Sequence, residues 1–205
     1  YLLPAAQSRD KTAVSVSDML HVCEELKGQC DFVLIDAPAG IEHGFRNAIA
    51  PASEFILVTT PDVTAIQDVD RVLGILESEG RGPIQLVVNR VRGQLVKRQE
   101  IMSPEEIVAH LSVELLGTVP DDENVIIGDG HGVPVVHNFR APASKSFRSM
   151  AARLLGEAAA SGGAVYVWGD GDADGITATA LLHEALAAAG LRVTCGLPAR
   201  AEGPG

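Results

Sequence analysis

The sequence predicts an α/β protein: a doubly wound, mostly parallel sheet followed by a C-terminal strand-helix-strand segment. Three observations predict it. Residues 32–35 (FVLI) form a short continuous apolar run, as expected of a strand buried on both faces of a parallel sheet. Further strand-length runs at 55–59, 84–88 and 115–119 alternate with segments of helical period, the spacing of βαβ units. Aromatic residues make up only 4% of a chain that is 46% hydrophobic, so the core must be aliphatic, as where helices pack closely on both faces of a sheet.

Taken in order, residues 1–5 read as the end of a strand. Ser17 is placed to cap a helix running to Lys27, with Leu20 and Leu26 facing inward and Gly28 ending it. The strand at 32–35 ends on Asp36, and Pro38 and Gly40 turn the chain away. Residues 44–50 suit a short helix, and 55–59 a second buried strand stopped by Thr60-Pro61. From 65 to 79 a helix turns Val69, Val72, Leu73 and Leu76 to one side, leaving Asp68, Asp70 and Arg71 outside. The third strand, 84–88, ends on Asn89-Arg90. Ser103, Pro104, Glu105 and Glu106 open another helix with a cap residue, a first-turn proline and two early acids. A fourth strand at 115–119 ends at Pro120, and 145–157 is an amphipathic helix. Residues 158–163 (AAASGG) read as a linker. Beyond it come a strand at 164–168, a loop, a helix at 176–189 stopped by Gly190, and a strand at 191–195. The expected units are thus 1–157, the linker 158–163, and 164–205.

Composition excludes several classes. A formal charge of -11 argues against a broad nucleic-acid surface, which needs clustered Lys and Arg, although a local basic face stays open. Cys23, Cys30 and Cys195 have neither a CxxC spacing nor His partners at ligand spacing, which argues against a disulfide framework or a zinc site. No apolar run approaches the roughly 20 residues that cross a bilayer, and no signal peptide opens the chain. A cytoplasmic protein is expected.

Asp36 is the first functional candidate. A carboxylate at the C-terminal end of a buried strand stands where ligands collect in open α/β sheets, and in nucleoside triphosphatases that position holds the Mg²⁺ shell. A buried strand with a merely polar end reads the same way in isolation. The surrounding motifs are DAPAGIEHGF, TTPDVTAIQDVDRVLGILE, LVVNRVR, LLGTVPDDENVI and FRSMAARLLGE, in that order. Together they resemble the septum-site-determining MinD ATPases, in the deviant P-loop group that includes the ParA partitioning proteins. The resemblance covers residues 1–157. The family's N-terminal strand, glycine-rich Lys-Thr phosphate loop and following helix and strand are not found ahead of Tyr1, so an N-terminally truncated, incomplete P-loop NTPase-like sheet is expected.

That resemblance implies ATP and Mg²⁺ as cofactors, with Asp36 as the catalytic and Mg²⁺-shell residue. Asn89 would meet the adenine edge, and the backbone near Pro120 and Asp121 would wall the base. Asp68, Asp70 and Arg71 match the family's surface for Min-system partners, with Gln67 where an Arg is usual. His43 and Phe45 are expected at the contacts of a homodimer. His131 and His137 read as surface or core residues. Stable membrane association is not expected, because Ala, Ser and Gly follow Glu157 where the family carries a basic amphipathic helix.

A second constellation is GDGDADG, residues 169–175, whose carboxylates at Asp170, Asp172 and Asp174 crowd together in a way best relieved by a hard divalent cation. An EF-hand does not fit, because a strand precedes the loop and Leu181 stands where a bidentate Glu is required. Nor does a phosphate loop, because Ile176 replaces its Lys. WGDGDADGITATALLHEAL resembles the first motif of the DHH phosphoesterases, particularly the exonuclease RecJ. By that resemblance Asp172 and Asp174 would hold Mn²⁺ or Mg²⁺, with Asp170 supporting; a solvated acidic loop is the alternative. No Asp-His-His triplet follows, and one motif cannot build a two-metal site.

Three functions are therefore in view. The first is a MinD-like ATPase of division-site selection that does not hydrolyse ATP as this chain. The second is a non-catalytic fragment or fusion acting as a partner-binding α/β module, and the third a DHH-type phosphoesterase fragment. The strand-helix-strand at 164–195 has the order of the unit not found ahead of Tyr1, and is expected to dock on an exposed sheet edge.

Overall fold

The computed structural model describes residues 2–4, 14–30, 32–37, 40–41, 43–161, 165–168 and 193–197. In chain order these form β1 (Leu2–Pro4), α1 (Val16–Lys27), β2 (Phe32–Ala37), α2 (His43–Ile49), β3 (Glu54–Thr59), α3 (Val63–Ser78), β4 (Ile84–Val91), α4 (Gly93–Lys97) and α5 (Pro104–Leu111). There follow β5 (Glu114–Pro120), α6 (Glu123–Gly130), a 3-10 turn (Val135–His137), α7 (Pro142–Ser161), β6 (Val165–Trp168) and β7 (Val193–Leu197).

All described pairings are parallel, in a seven-stranded sheet of order β1-β7-β2-β6-β3-β4-β5. Strand side chains alternate between two cores. Val33, Ile35, Phe55, Leu57, Leu86 and Val88 face one layer, where Cys23 of α1, Phe45 of α2, Val69 and Leu76 of α3 and Ile107 of α5 are buried. Phe32, Leu34, Ile56, Val87 and Leu116 face the other, against Val135, Val136 and the α7 residues Phe147, Met150 and Leu154. Leu57 and Leu86 have no exposed surface, and burying each such side chain contributes about 1.5–3 kcal/mol.

Local chemistry sets the helix starts. The cap of α1 is Ser15, two residues before the expected Ser17: its hydroxyl accepts from the Asp18 N–H at 3.2 Å, and Asp18 accepts from the Ser15 N–H at 2.9 Å. The reciprocal box needs an acid three residues on, and only Ser15 has one. Ser103 and Glu106 form the same box at α5, as the sequence predicts. Leu20, expected inside, is exposed, and Cys23 takes the buried position. At the other end, α7 runs on to Ser161, through four of the six residues read as a linker. The reason is Ala158 to Ala160, the strongest helix former in three successive positions.

The C-terminal strands enter the sheet itself. β6 lies between β2 (Asp36 opposite Val167) and β3 (Ile56 opposite Val167), while β7 lies between β1 and β2 (Leu34 opposite Cys195). The docking expected at an edge is thus found in two interior slots flanking β2, whose N–H and C=O groups are buried and need partners on both sides. The helix expected at 176–189 lies outside the described residues.

β5 is an edge strand, and α7 covers it at close range. A Cβ on Gly117 would stand 2.5 Å from Met150 Cγ, so only glycine admits this approach. Arg153 of α7 donates to the edge carbonyls of Leu115 and Leu116 at 3.0 and 2.7 Å, blunting an edge that would otherwise invite another strand.

Candidate functional site

The carboxyl ends of the parallel strands carry four of the predicted residues, Asp36, Asn89, Pro120 and Asp121. Asp36, 7% exposed, is the penultimate residue of β2, followed by the buried Ala37. Thr59, also buried, ends β3. Asn89 and Arg90 fall inside β4, not after it as expected. The register breaks between Val88 and Val91, and Val91 then re-pairs with Pro120 of β5. The strand therefore continues beyond a bulge that contains Asn89 and Arg90. Arg90 has φ 55°, the left-handed region that non-glycine residues enter rarely. Its N–H donates to Asn89 Oδ1 at 2.9 Å, which fixes the carboxamide.

Pro120 and Asp121 lie directly beside this bulge. The Asp121 N–H donates to the Val91 carbonyl at 3.1 Å, while its carboxylate takes Arg92 Nε at 2.6 Å and has Arg90 Nε at 4.0 Å. Asn89, Pro120 and Asp121 thus form one wall. Asp36 is on β2, three strand spacings from β4, about 14 Å. The site is an edge that an extended ligand would span, with an acid at one end and a carboxamide at the other.

Two residues that the sequence reading did not single out hold this edge in shape. Arg92 is one; it lies 29 positions from Asp121, so no local pattern marks it. Asp122 is the other. One carboxylate oxygen caps α6 by accepting from the Asn124 N–H at 3.0 Å and the Asn124 amide at 2.7 Å; the other accepts from the Ala143 N–H in the first turn of α7 at 3.0 Å. Burial pushes the Asp122 carboxyl up, but the hydrogen bonds from Ala143 and Asn124 together outweigh it and hold the group below its ordinary value near 3.8. The D-x-N pattern of an Asx turn was the available signal.

The remaining predicted residues scatter. Asp68, Asp70 and Arg71 are exposed on α3, with Asp68 and Arg71 3.7 Å apart. Phe45, expected at a dimer contact, is 2% exposed and belongs to the core, because α2 turns it onto the sheet beside Ala48 and Ile49. His131 and His137 are at the surface. Asp170, Asp172 and Asp174 lie outside the described residues, and among the described residues no group of three or more His, Cys, Asp or Glu could hold a metal ion. Cys23 and Cys30 are buried thiols outside any disulfide, and burial pushes the Cys23 thiol up against the opposing pull of Lys27.

A parallel sheet with helices packed on both faces defines an α/β domain of the doubly wound class. No family model matches the chain. Among curated proteins it is 48% identical over 158 residues to the septum site-determining protein MinD of Bacillus subtilis, covering 77% of this chain and 59% of that one. It is 42% identical over 159 residues to MinD of Thermotoga maritima, again 77% and 59%. Among solved structures, MinD in a MinC:MinD complex from Aquifex aeolicus superposes with a TM-score of 0.67 at 36% identity, over 70% of this chain and 60% of that chain. Pyrococcus horikoshii MinD complexed with Mg-ADP gives 0.60 at 27% identity, over 68% and 56%. The chain thus resembles MinD in both sequence and fold, and its fold is of the P-loop NTPase-like α/β kind. It spans 59% of the length of these curated relatives.

Proposed function

We propose that the chain is part of a MinD-like ATPase of division-site selection, and that these 205 residues alone bind an adenine nucleotide with Mg²⁺ without turning it over. The observation that carries the reading is the shared carboxyl edge of Asp36, Asn89 and Pro120 in a sheet whose sequence is 48% identical to a MinD. The residues fit the group. Asp36 offers a hard oxygen donor for Mg²⁺, which would neutralise phosphate charge, and Asn89 with the Pro120 backbone offers a polar and an apolar face to a purine. The sequence contains no glycine-rich loop ending in Gly-Lys-Ser or Gly-Lys-Thr, so it does not itself supply the cradle of N–H groups and the lysine that stabilise a transferred phosphate.

The exposed Asp68, Asp70 and Arg71 are proposed as the face for a MinC-like partner, since a neighbouring structure is a MinC:MinD complex. A homodimer and the absence of stable membrane association belong to the same proposal; among the described residues no helix is long and apolar enough to cross a membrane. A metal at Asp170, Asp172 and Asp174 remains a separate proposal, tested by Mn²⁺ binding. The same exposed Asp68, Asp70 and Arg71 also suit a second reading, a partner-binding module that takes no nucleotide.

Binding of a fluorescent adenine nucleotide, paired with a phosphate-release assay, separates these. The expected result is Mg²⁺-dependent binding without release, weakened about tenfold in Asn89→Ala by loss of a hydrogen bond, and no longer Mg²⁺-dependent in Asp36→Ala. No binding at all returns the second reading. Steady phosphate release that disappears in Asp36→Ala contradicts the claim of no turnover.

A further inference from the structure

We infer that Arg92 is a positioning residue for base selectivity, acting through Asp121 on the bulge that presents Asn89. The inference rests on the nucleotide reading above. In the bulge the backbone of Arg90 is left-handed, a conformation that costs free energy and persists only where neighbouring contacts hold it. Two contacts bracket it. The Asp121 N–H to Val91 carbonyl bond, 3.1 Å, joins β4 to β5 just past the bulge, and the Arg92 to Asp121 ion pair, 2.6 Å, closes the same junction from the side-chain level. Val91 is opposite Pro120 in the register, so bond, ion pair and strand pairing fall within two successive residues on each side, Val91 with Arg92 and Pro120 with Asp121.

The carboxamide is already half committed. Asn89 Oδ1 accepts from the Arg90 N–H at 2.9 Å, leaving one acceptor site on that oxygen and setting the direction of the amide nitrogen. An amide held this way can tell the donor and acceptor groups along the edge of adenine from those of guanine; one free to flip presents the two ends of the amide interchangeably. If the junction opens, Arg90 can relax out of its left-handed state and the amide is released. The second arginine, Arg90, stands 4.0 Å from the other carboxylate oxygen and is the weaker partner. Both arginine side chains reach solvent, so the ion pair is an exposed one, and its effect is limited in size. Its value here is geometric: it decides which way an amide points.

The test compares adenine and guanine nucleotide binding in the full chain, its Arg92→Ala and Arg92→Lys variants, and the exchanged pair Arg92→Asp with Asp121→Arg. Arg92→Ala should cut the adenine preference about threefold to fivefold, the range of an exposed ion pair, with an unchanged melting temperature. Arg92→Lys and the exchanged pair should recover part of it. An adenine preference in the wild type that Arg92→Ala leaves intact overturns the inference while sparing the nucleotide site; a wild type that binds neither nucleotide overturns both. Hydrogen exchange gives a nucleotide-free check. The Asp121 amide should exchange about threefold to fivefold faster in Arg92→Ala, the same range, and an unchanged rate overturns the clamp.

Discussion

The two halves of the sheet are built differently. On one side β3, β4 and β5 follow one another in sequence, pair in the order they are made, and are covered by α3, α5 and α7. On the other, β2 has as its described neighbours only β6 and β7, strands from the far end of the chain, four and five residues long. Both halves are equally parallel, and β2 is the more deeply buried: it is buried along its whole length, β4 only at Leu86, Val87 and Val88. What differs is how the partners are tied. In the first half neighbours in sequence are neighbours in space; in the second, the strand that carries Asp36 depends on a segment tethered more than a hundred residues away. Burial alone does not reveal this dependence.

The strongest test asks whether the halves unfold together. Leu86→Ala, at a site with no exposed surface in β4, should cost about 2–5 kcal/mol of global stability in a denaturant titration. Under native conditions the amides of Phe32–Ala37 should exchange through a cheaper opening than those of Ile84–Val88, because loss of β6 and β7 strips β2 of its described partners. Equal opening free energies in β2 and β4 would erase the distinction between the halves.

Acid sharpens it. Asp122 belongs to the first half, where it pins the starts of α6 and α7. Asp122→Ala should cost about 1 kcal/mol, as for other lost caps. Because the folded carboxyl lies below its ordinary value, its contribution is present above that value and is lost as the pH falls through the folded pKa. Asp122→Asn should therefore flatten the acid limb of a stability-against-pH curve, with β2 exchange unaffected. An acid limb identical to the wild type would remove Asp122 from the account.

The smallest effect runs the other way. Gly74 is exposed in the middle of α3, and a Cβ there meets nothing within 4 Å. Gly74→Ala should stabilise the first half by about 0.5–1 kcal/mol, read as a higher melting temperature, and should leave the opening of β2 as it was.

Much of the first half is legible in the sequence, because its signals are local. The Ser103 to Glu106 box, the inward row of α3 and the runs that become β3 and β5 each rest on residues within a few positions of one another. The misses have a common cause. Asn89 and Arg90 read as the end of a strand because the pattern cannot register that β4 re-pairs after a bulge. Arg92 and Asp121 meet across 29 positions, and Phe45 is a core residue because of what lies opposite α2. The insertion of β6 and β7 is the extreme case: a strand-helix-strand pattern at 164–195 is visible, but which slots it fills depends on where unpaired strands elsewhere are waiting.

That interleaving has a consequence for synthesis on the ribosome. β2 emerges about 130 residues before the start of β6, so at roughly 5–20 residues per second it waits about 6–26 s for its described partners. Throughout that interval a run of Phe, Val, Leu and Ile lacks the two strands that pair with it in the described fold. A chain arranged this way is most in need of a chaperone until β6 and β7 have been made, and a pause in translation between β5 and β6 lengthens the time in which β2 can pair with a neighbour.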